Sequence, residues 1–231
     1  MSALRKSSLS AGVFYLISFV SIPTLFLYAS AKDANYIIGA GPDTQVLIGG
    51  ILEVIVALAG IGSAVALFPV IRRQNESVAL GLVATRTLEA ATILSGVVSL
   101  LSLVSLRQAG AGSEALVTGH LLAAEYSKTF LLGQALIPAI NGFLLGYLMY
   151  RSRLVPRALP VIGLIGAPIL IASVAAKYFG LYDEVSAWSG LAALPIAVWE
   201  FSLGIYLTFK GYRACRITAE MTAEAESSPA K

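Results

Sequence analysis

Residues 45–71 read QVLIGGILEVIVALAGIGSAVALFPVI, and Arg72 and Arg73 follow at once. Glu53 is the one charged side chain in that run. A helix rises about 1.5 Å per residue and the hydrocarbon of a bilayer is about 30 Å thick, so roughly 20 apolar residues cross it. Lipid offers the backbone no hydrogen bonds, so only helices and closed barrels span it. Pieces such as Ile61–Ile71 do not alternate apolar with polar residues, as a barrel strand would. The run reads as a membrane-spanning helix.

Five further segments qualify on the same ground: Leu9–Ala31, Val78–Leu106, Thr129–Tyr150, Ala158–Phe179 and Ala187–Phe209. Composition agrees. The 231 residues are 57% hydrophobic and only 13% charged, with a mean hydropathy of +0.81. A soluble domain carries about 25% charged residues, which this chain lacks for dressing a wet surface. Arg5 and Lys6 before the first run could open a signal peptide. That run is long enough to span, however, and no convincing small-residue cleavage site precedes a soluble domain. The expected fold is all-α, a polytopic membrane protein with a six-helix transmembrane domain over residues 1–212.

Charge between the spans predicts orientation. The side holding the N-terminus receives Arg5, Lys6, Arg72, Arg73, Arg151, Arg153, Arg157, Lys210, Arg213, Arg216 and Lys231, eleven basic residues. The opposite side receives Lys32, Arg107, Lys128 and Lys177, only four. Positive-inside bias puts the first side, with both termini, in the cytoplasm and the chain in the plasma membrane. The bilayer is the expected partner. A second copy of the chain is another, since six spans need a dimer or a compact cavity to make a full pathway. The basic residues form no single patch, so no nucleic acid is expected. Cys215 is the one cysteine, so no internal disulfide can form.

The longest loop, Arg107–Lys128, lies on the opposite side. Ser113 would cap a helix there, with Leu116, Val117, Leu121 and Ala124 on one face. That helix is expected to lie on the surface or to run straight into the fourth span. The tail, residues 213–231, is rich in Ala, Glu and Ser from Ile217 onward and is expected to be disordered. Trp188, Tyr28, Tyr36, Tyr126, Tyr178 and Tyr182 fall near one set of span ends and Tyr150 and Tyr212 near the other, which an interfacial aromatic belt explains.

Certain stretches resemble a known family. They are Ala11-Gly12-Val13-Phe14-Tyr15-Leu16, then Leu80-Gly81 through Thr85-Arg86-Thr87-Leu88-Glu89-Ala90, then Tyr150-Arg151-Ser152-Arg153-Leu154-Val155-Pro156-Arg157, Ile162-Gly163-Leu164-Ile165-Gly166 and Trp199-Glu200. With them the chain resembles, over about Ser8 to Tyr212, a bacterial multi-pass membrane family of unknown function, the domain-of-unknown-function family 4386. The resemblance implies a multi-pass bacterial membrane protein and brings no activity, cofactor or catalytic residue.

Four ionisable residues fall inside spans: Glu53, Arg86, Glu89 and Glu200. A charge in hydrocarbon costs at least ~2.5 kcal/mol on insertion scales, so such groups face the bundle interior and pair. Arg86 lies nine residues from the inner end of its span, about 13 Å deep at the helical rise. Glu200 and Asn141 lie at similar depth, and Glu89 is one turn from Arg86 on the same face. These four are expected to share a layer. Glu53 lies roughly 27 Å from the inner end, paired with Gln134 if with anything. Thr87, Ala91, Ser95 and Ser99 form a small-residue seam nearly opposite Arg86, which predicts a third span at the centre of the bundle. Gly142 and Gly146 form a second close-packing pair in the fourth span. Pro138 and Pro195 predict kinks beside the layer.

No cluster has metal-ligand spacing, and no nucleophile elbow, phosphate loop or dinucleotide fingerprint occurs. No cofactor, metal or catalytic residue is expected. His120, Glu125 and Tyr126 are the one weak outer-surface constellation, and without a nucleophile they read as interfacial polar residues. Three functions remain. A small-solute or proton-coupled carrier requires a cavity at the Arg86 layer. A membrane scaffold or regulatory partner requires a dry, filled bundle whose charges only set helix register. A membrane-embedded enzyme, the least supported, requires a polar pocket at His120, Glu125 and Tyr126.

The orientation has a direct test. Cys215 is expected to resist a membrane-impermeant maleimide in intact cells and to react after permeabilisation. Labelling of intact cells would reverse the topology.

Overall fold

The computed structural model describes residues 1–33, 35–39, 41–183 and 186–227. Their regular structure is helical throughout: α1 (Ala3–Ile17), α2 (Thr24–Leu27), α3 (Thr44–Ile71), α4 (Glu76–Gln108), α5 (Leu116–Leu131), α6 (Ile137–Ser152), α7 (Ala158–Tyr178), α8 (Ala187–Phe209) and α9 (Arg216–Ser227). Six segments are long and apolar enough to cross a membrane: Ala3–Leu27, Thr44–Ile71, Glu76–Gln108, Ser113–Ser152, Ala158–Tyr178 and Ala187–Phe209. Six crossings bring α9 back to the end of the bundle where α1 begins, and there Arg5 donates to the Thr208 carbonyl at 2.7 Å. The all-α, multi-pass architecture expected from the sequence is the one observed.

The spans pack in chain order, and the circle closes where α1 lies against α8. Side chains such as Ile51, Leu58, Val65, Val98, Phe143 and Leu191 point outward, as lipid contact requires. Inside, one apolar cluster fills the end near the termini with Leu67, Leu82, Leu145, Met149, Trp199 and Leu203. Another fills the opposite end with Tyr28, Tyr36, Val46, Leu100, Leu103 and Tyr126. A polar layer lies between them.

Several expectations are corrected. Tyr28, Tyr36 and Tyr126 do not belong to an interfacial belt; they are buried in the core, whereas Trp188 and Tyr178 are exposed as a belt requires. The third span is a member of the ring and not its centre. Its Thr87, Ala91 and Ser95 face outward and only Ser99 is buried. Close approach occurs on a neighbouring face instead, where a methyl added at Gly96 would lie 2.6 Å from the Thr129 hydroxyl and one at Gly133 3.1 Å from Thr92. The expected pair Gly142 and Gly146 does pack tightly, against Ile196 and Leu164.

The long loop forms a short 3-10 turn at Ser113–Ala115 that runs straight through α5 into the fourth span. Val117 and Leu121 face outward, 80% and 66% exposed, while Gly119 and Tyr126 face the core. The tail is not disordered over residues 217–227. Helix α9 buries Ile217 and Thr218, and Glu224 takes both guanidinium nitrogens of Arg73 at 2.7 and 2.6 Å. Residues 228–231, the rest of the tail expected to be disordered, lie outside the described residues.

The end remote from the termini is clasped by Asp43, just before α3. It accepts from the Tyr36 hydroxyl at 2.6 Å, Arg107 at 2.8 Å and Gln108 at 3.0 Å, and the Arg107 guanidinium lies 4.5 Å over the Tyr36 ring. Burial raises the Asp43 carboxyl, but the hydrogen bonds from Tyr36 and Gln108 and the Arg107 charge outweigh it and hold the pKa below its ordinary value. A depressed folded pKa means stability present above the unfolded value, about 3.9, and lost as pH falls through the folded one. The melting-temperature gap between wild type and Asp43→Asn in detergent is therefore expected to be constant from pH 5 to 7 and to close below about pH 4. A gap indifferent to acid would remove the carboxylate from the clasp.

Candidate functional site: an arginine–carboxylate layer beside a cavity

Arg86 projects from α4 into the ring and is 5% exposed. Its Nη1 donates to Glu89 Oε2 at 3.0 Å and Oε1 at 3.3 Å, one turn along the same helix. Its Nη2 donates to Glu200 Oε1 on α8 at 2.5 Å and to the Tyr15 hydroxyl on α1 at 3.1 Å. The guanidinium also lies 5.3 Å from the Tyr15 ring centre. Asn141 on α6 donates to Glu89 Oε2 at 2.6 Å, and the Thr85 hydroxyl bonds to the Asn141 carbonyl oxygen. The structure thus brings together Arg86, Glu89, Glu200 and Asn141, the layer expected from depth alone. Tyr15 and Thr85 belong to the layer too, and sequence reasoning missed both.

Glu53 forms a second cluster. It is fully buried, and its Oε1 accepts from Gln134 at 2.8 Å and from the Tyr126 hydroxyl at 2.8 Å. The Tyr28 hydroxyl is its neighbour, and beyond that contact Glu53 Oε2 and the Tyr28 hydroxyl have no hydrogen-bond partner among the described residues. The expected pairing with Gln134 is present. Tyr126, grouped with His120 and Glu125 from the sequence, instead faces inward, with its ring edge-to-face on Tyr28 at 5.1 Å. His120 and Glu125 stay exposed. His120 lines an outer groove with Lys32, Asp33 and Tyr36, and neither Glu125 nor Tyr126 lines it. The three do not meet in one pocket because successive helix positions diverge by about 100°.

Between the two clusters lies a partly open cavity of about 230 Å³. Arg86, Glu89, Glu200 and Gln134 contribute its polar wall, and Phe19, Ile93 and Ile196 are among its apolar lining. Gln134 belongs to both the cavity and the Glu53 cluster, so it joins the two. Backbone irregularities collect here. The first span passes from α1 into a 3-10 turn at Ser18–Ser21 and reaches α2 past Pro23. The fourth span carries a π-helical turn at Leu132–Leu136, just before Pro138. Non-α backbone at membrane depth is tolerated where it lines a cavity or is held by protein, and π-turns occur frequently at functional sites.

Arg86 does not present its guanidinium to an anion in the cavity. Its two terminal nitrogens are both taken by carboxylates. What the layer turns to the cavity is an excess of acid, two carboxylates for one guanidinium. Among the described residues no group of three or more His, Cys, Asp or Glu could hold a metal ion.

The fold and this layer define a multi-pass α-helical membrane protein with a charged interior. The chain belongs to the family described as domain of unknown function (DUF4386), which matches residues 10–211. No curated protein and no solved structure matches it.

Breaking a buried pair by removing one partner costs about 3–5 kcal/mol, because the other charge is left unmatched. Arg86→Ala is therefore expected to cut the folded yield in detergent sharply. Adding Glu200→Gln should recover part of that loss, since groups in direct contact couple by about 0.5–3 kcal/mol. Strictly additive losses in the double variant would mean that the pair is not energetically coupled.

Proposed function

We propose that the protein is a proton-coupled carrier of a small solute in the bacterial plasma membrane, with both termini in the cytoplasm. The observation that carries this reading is the cavity walled by Glu89 and Glu200 against a single arginine. A dry scaffold has no use for unfilled space beside a buried ion network, since interiors otherwise pack to crystal density. At ~30 Å³ per water, a cavity of about 230 Å³ has room for about eight waters or one small molecule. Its excess negative charge favours a solute bearing an amine or another cation, and its apolar walls favour one with a short hydrocarbon part.

Glu53 is the coupling carboxylate in this scheme. One of its oxygens is held by Gln134 and Tyr126, and the other, beside the Tyr28 hydroxyl, is the one that takes the proton in this scheme. Gln134 passes the change of charge to the cavity wall. Buried ionisable groups of this kind mark proton and solute pathways in membrane proteins. Eleven basic residues on the terminal side against four opposite support cytoplasmic termini.

The test is uptake in proteoliposomes loaded with a luminal pH dye and given small amines, with methylammonium and putrescine as first probes. Wild type is expected to move protons on amine addition. Glu53→Gln keeps its hydrogen-bonding shape and is expected to remain folded while losing the pH dependence of uptake. Glu200→Gln is expected to slow uptake at least tenfold. No proton flux and no solute uptake by folded wild type under any imposed gradient would put the scaffold reading in its place.

A further inference from the structure

A second cavity, of about 730 Å³, lies on the face that holds both termini. Its wall carries Arg151, Arg153, Arg157, Arg213 and Arg216 and no carboxylate. Two segments bring these guanidiniums together, the turn between α6 and α7 and the link between α8 and α9. They are joined where the Arg213 amide donates to the Leu154 carbonyl at 2.8 Å. Buried Ser152 and Ile217 also line it.

Acid that would neutralise the pocket is engaged elsewhere or held loosely. Glu224 is bound to Arg73, and Glu220 reaches exposed Arg216 only at 3.6 Å. Arg157 lies over the Tyr150 ring at 5.0 Å. Among the described residues, Arg151, Arg153 and Arg213 have no ion pair. Positive-inside topology requires basic residues in this loop, yet it does not require one in a left-handed backbone conformation. Arg153 has φ 60° and ψ 24° at the C-terminal end of α6. It is the one non-glycine with positive φ among the described residues. Glycine is the usual occupant of such a helix end. An arginine kept in a strained position points to a use for its side chain.

We propose that this pocket binds a phosphate group. Guanidinium forks match phosphate oxygens in pairs and lose little on desolvation, so converging arginines select phosphate over weaker anions. The first turn of α9 opens on the same space. Ala219 is the first amide to reach a helical carbonyl, that of Cys215 at 3.0 Å, which leaves the amides of Arg216 and Ile217 at the open end. The phosphate is carried either by an anionic lipid headgroup at the level of the span ends or by a soluble metabolite. This assignment does not depend on the carrier reading.

Two arms separate the sources. In the first, purified full-length protein is titrated with inorganic pyrophosphate by calorimetry. In the second, native mass spectrometry counts phosphatidylglycerol retained from mixed phosphatidylglycerol–phosphatidylcholine nanodiscs, with and without pyrophosphate. Saturable pyrophosphate binding that displaces lipid indicates a soluble ligand, and retained anionic lipid that resists displacement indicates a headgroup. Arg153→Gly removes the charge while relaxing the backbone. It is expected to weaken binding at least tenfold in whichever arm is positive and to melt no lower than wild type. Arg151→Gln with Arg213→Gln is expected to do the same to binding. The proposal is overturned if wild type neither binds pyrophosphate nor prefers the anionic lipid, if both variants bind as wild type does, or if binding falls only in step with melting temperature.

Discussion

A guanidinium in the middle of a membrane must be matched by acid, and in this protein the match comes from several spans at once. Arg86 takes Glu89 from its own helix, Glu200 from the sixth span and Tyr15 from the first, and Glu89 is held in turn by Asn141 from the fourth. Leaving such a charge unpaired costs at least ~2.5 kcal/mol on insertion scales. The hydrophobic effect gives no preference between one helix neighbour and another in lipid, because the tails are as apolar as leucine. A directional polar network does give one. The closure of the circle, with α1 against α8, brings Tyr15 and Glu200 to one guanidinium.

This division explains what was legible in the residues. Spans were legible because length and apolarity are the whole requirement for crossing. Arg86 with Glu89 was legible from spacing along one helix, and Glu200, Asn141 and the Glu53–Gln134 contact from depth. Rotation of a span about its axis was not, since apolar residues surround helices such as α3 and α7 on every side. Tyr15, Tyr28 and Tyr126 depend on that rotation. A tyrosine near a span end suits an interface as well as it suits a buried carboxylate, so nothing local marked Tyr126 as the partner of Glu53. The outward seam of α4 failed for the same reason. The helical tail escaped because its order comes from Arg73, far away in sequence, gripping Glu224.

Two irregular stretches of backbone within the spans, the 3-10 turn of the first and the π-turn of the fourth, lie at the polar layer. Ser18, Ser21 and Thr24 turn their hydroxyls back onto carbonyls three residues earlier, which satisfies groups that the 3-10 turn and Pro23 would otherwise disturb. The π-turn of the fourth span places Gln134 between Glu53 and the cavity. An unbroken α-helix through either segment would turn these side chains to different directions. The two departures from regularity therefore belong to the cavity's construction.

The molecule carries opposite charge at two depths: excess acid at the cavity and five arginines at the terminal face. Between them stands an apolar plug in which Leu82, Leu145, Trp199 and Leu203 are all but inaccessible. Two helices join the two sites across that plug. Helix α6 carries Asn141 and ends at the pocket with Ser152 and Arg153, about 17 Å away at the helical rise. Helix α8 carries Glu200 and leads into Arg213. A packed helix moves as a body, so a tilt that widens the layer also shifts its end at the pocket. In the proposed carrier, opening the cavity toward the terminal face would move α6 and α8 around the plug, and the same motion would alter the spacing of Arg153 and Arg213. The charged pocket stands where the two helices that carry Asn141 and Glu200 of the buried layer come to their ends.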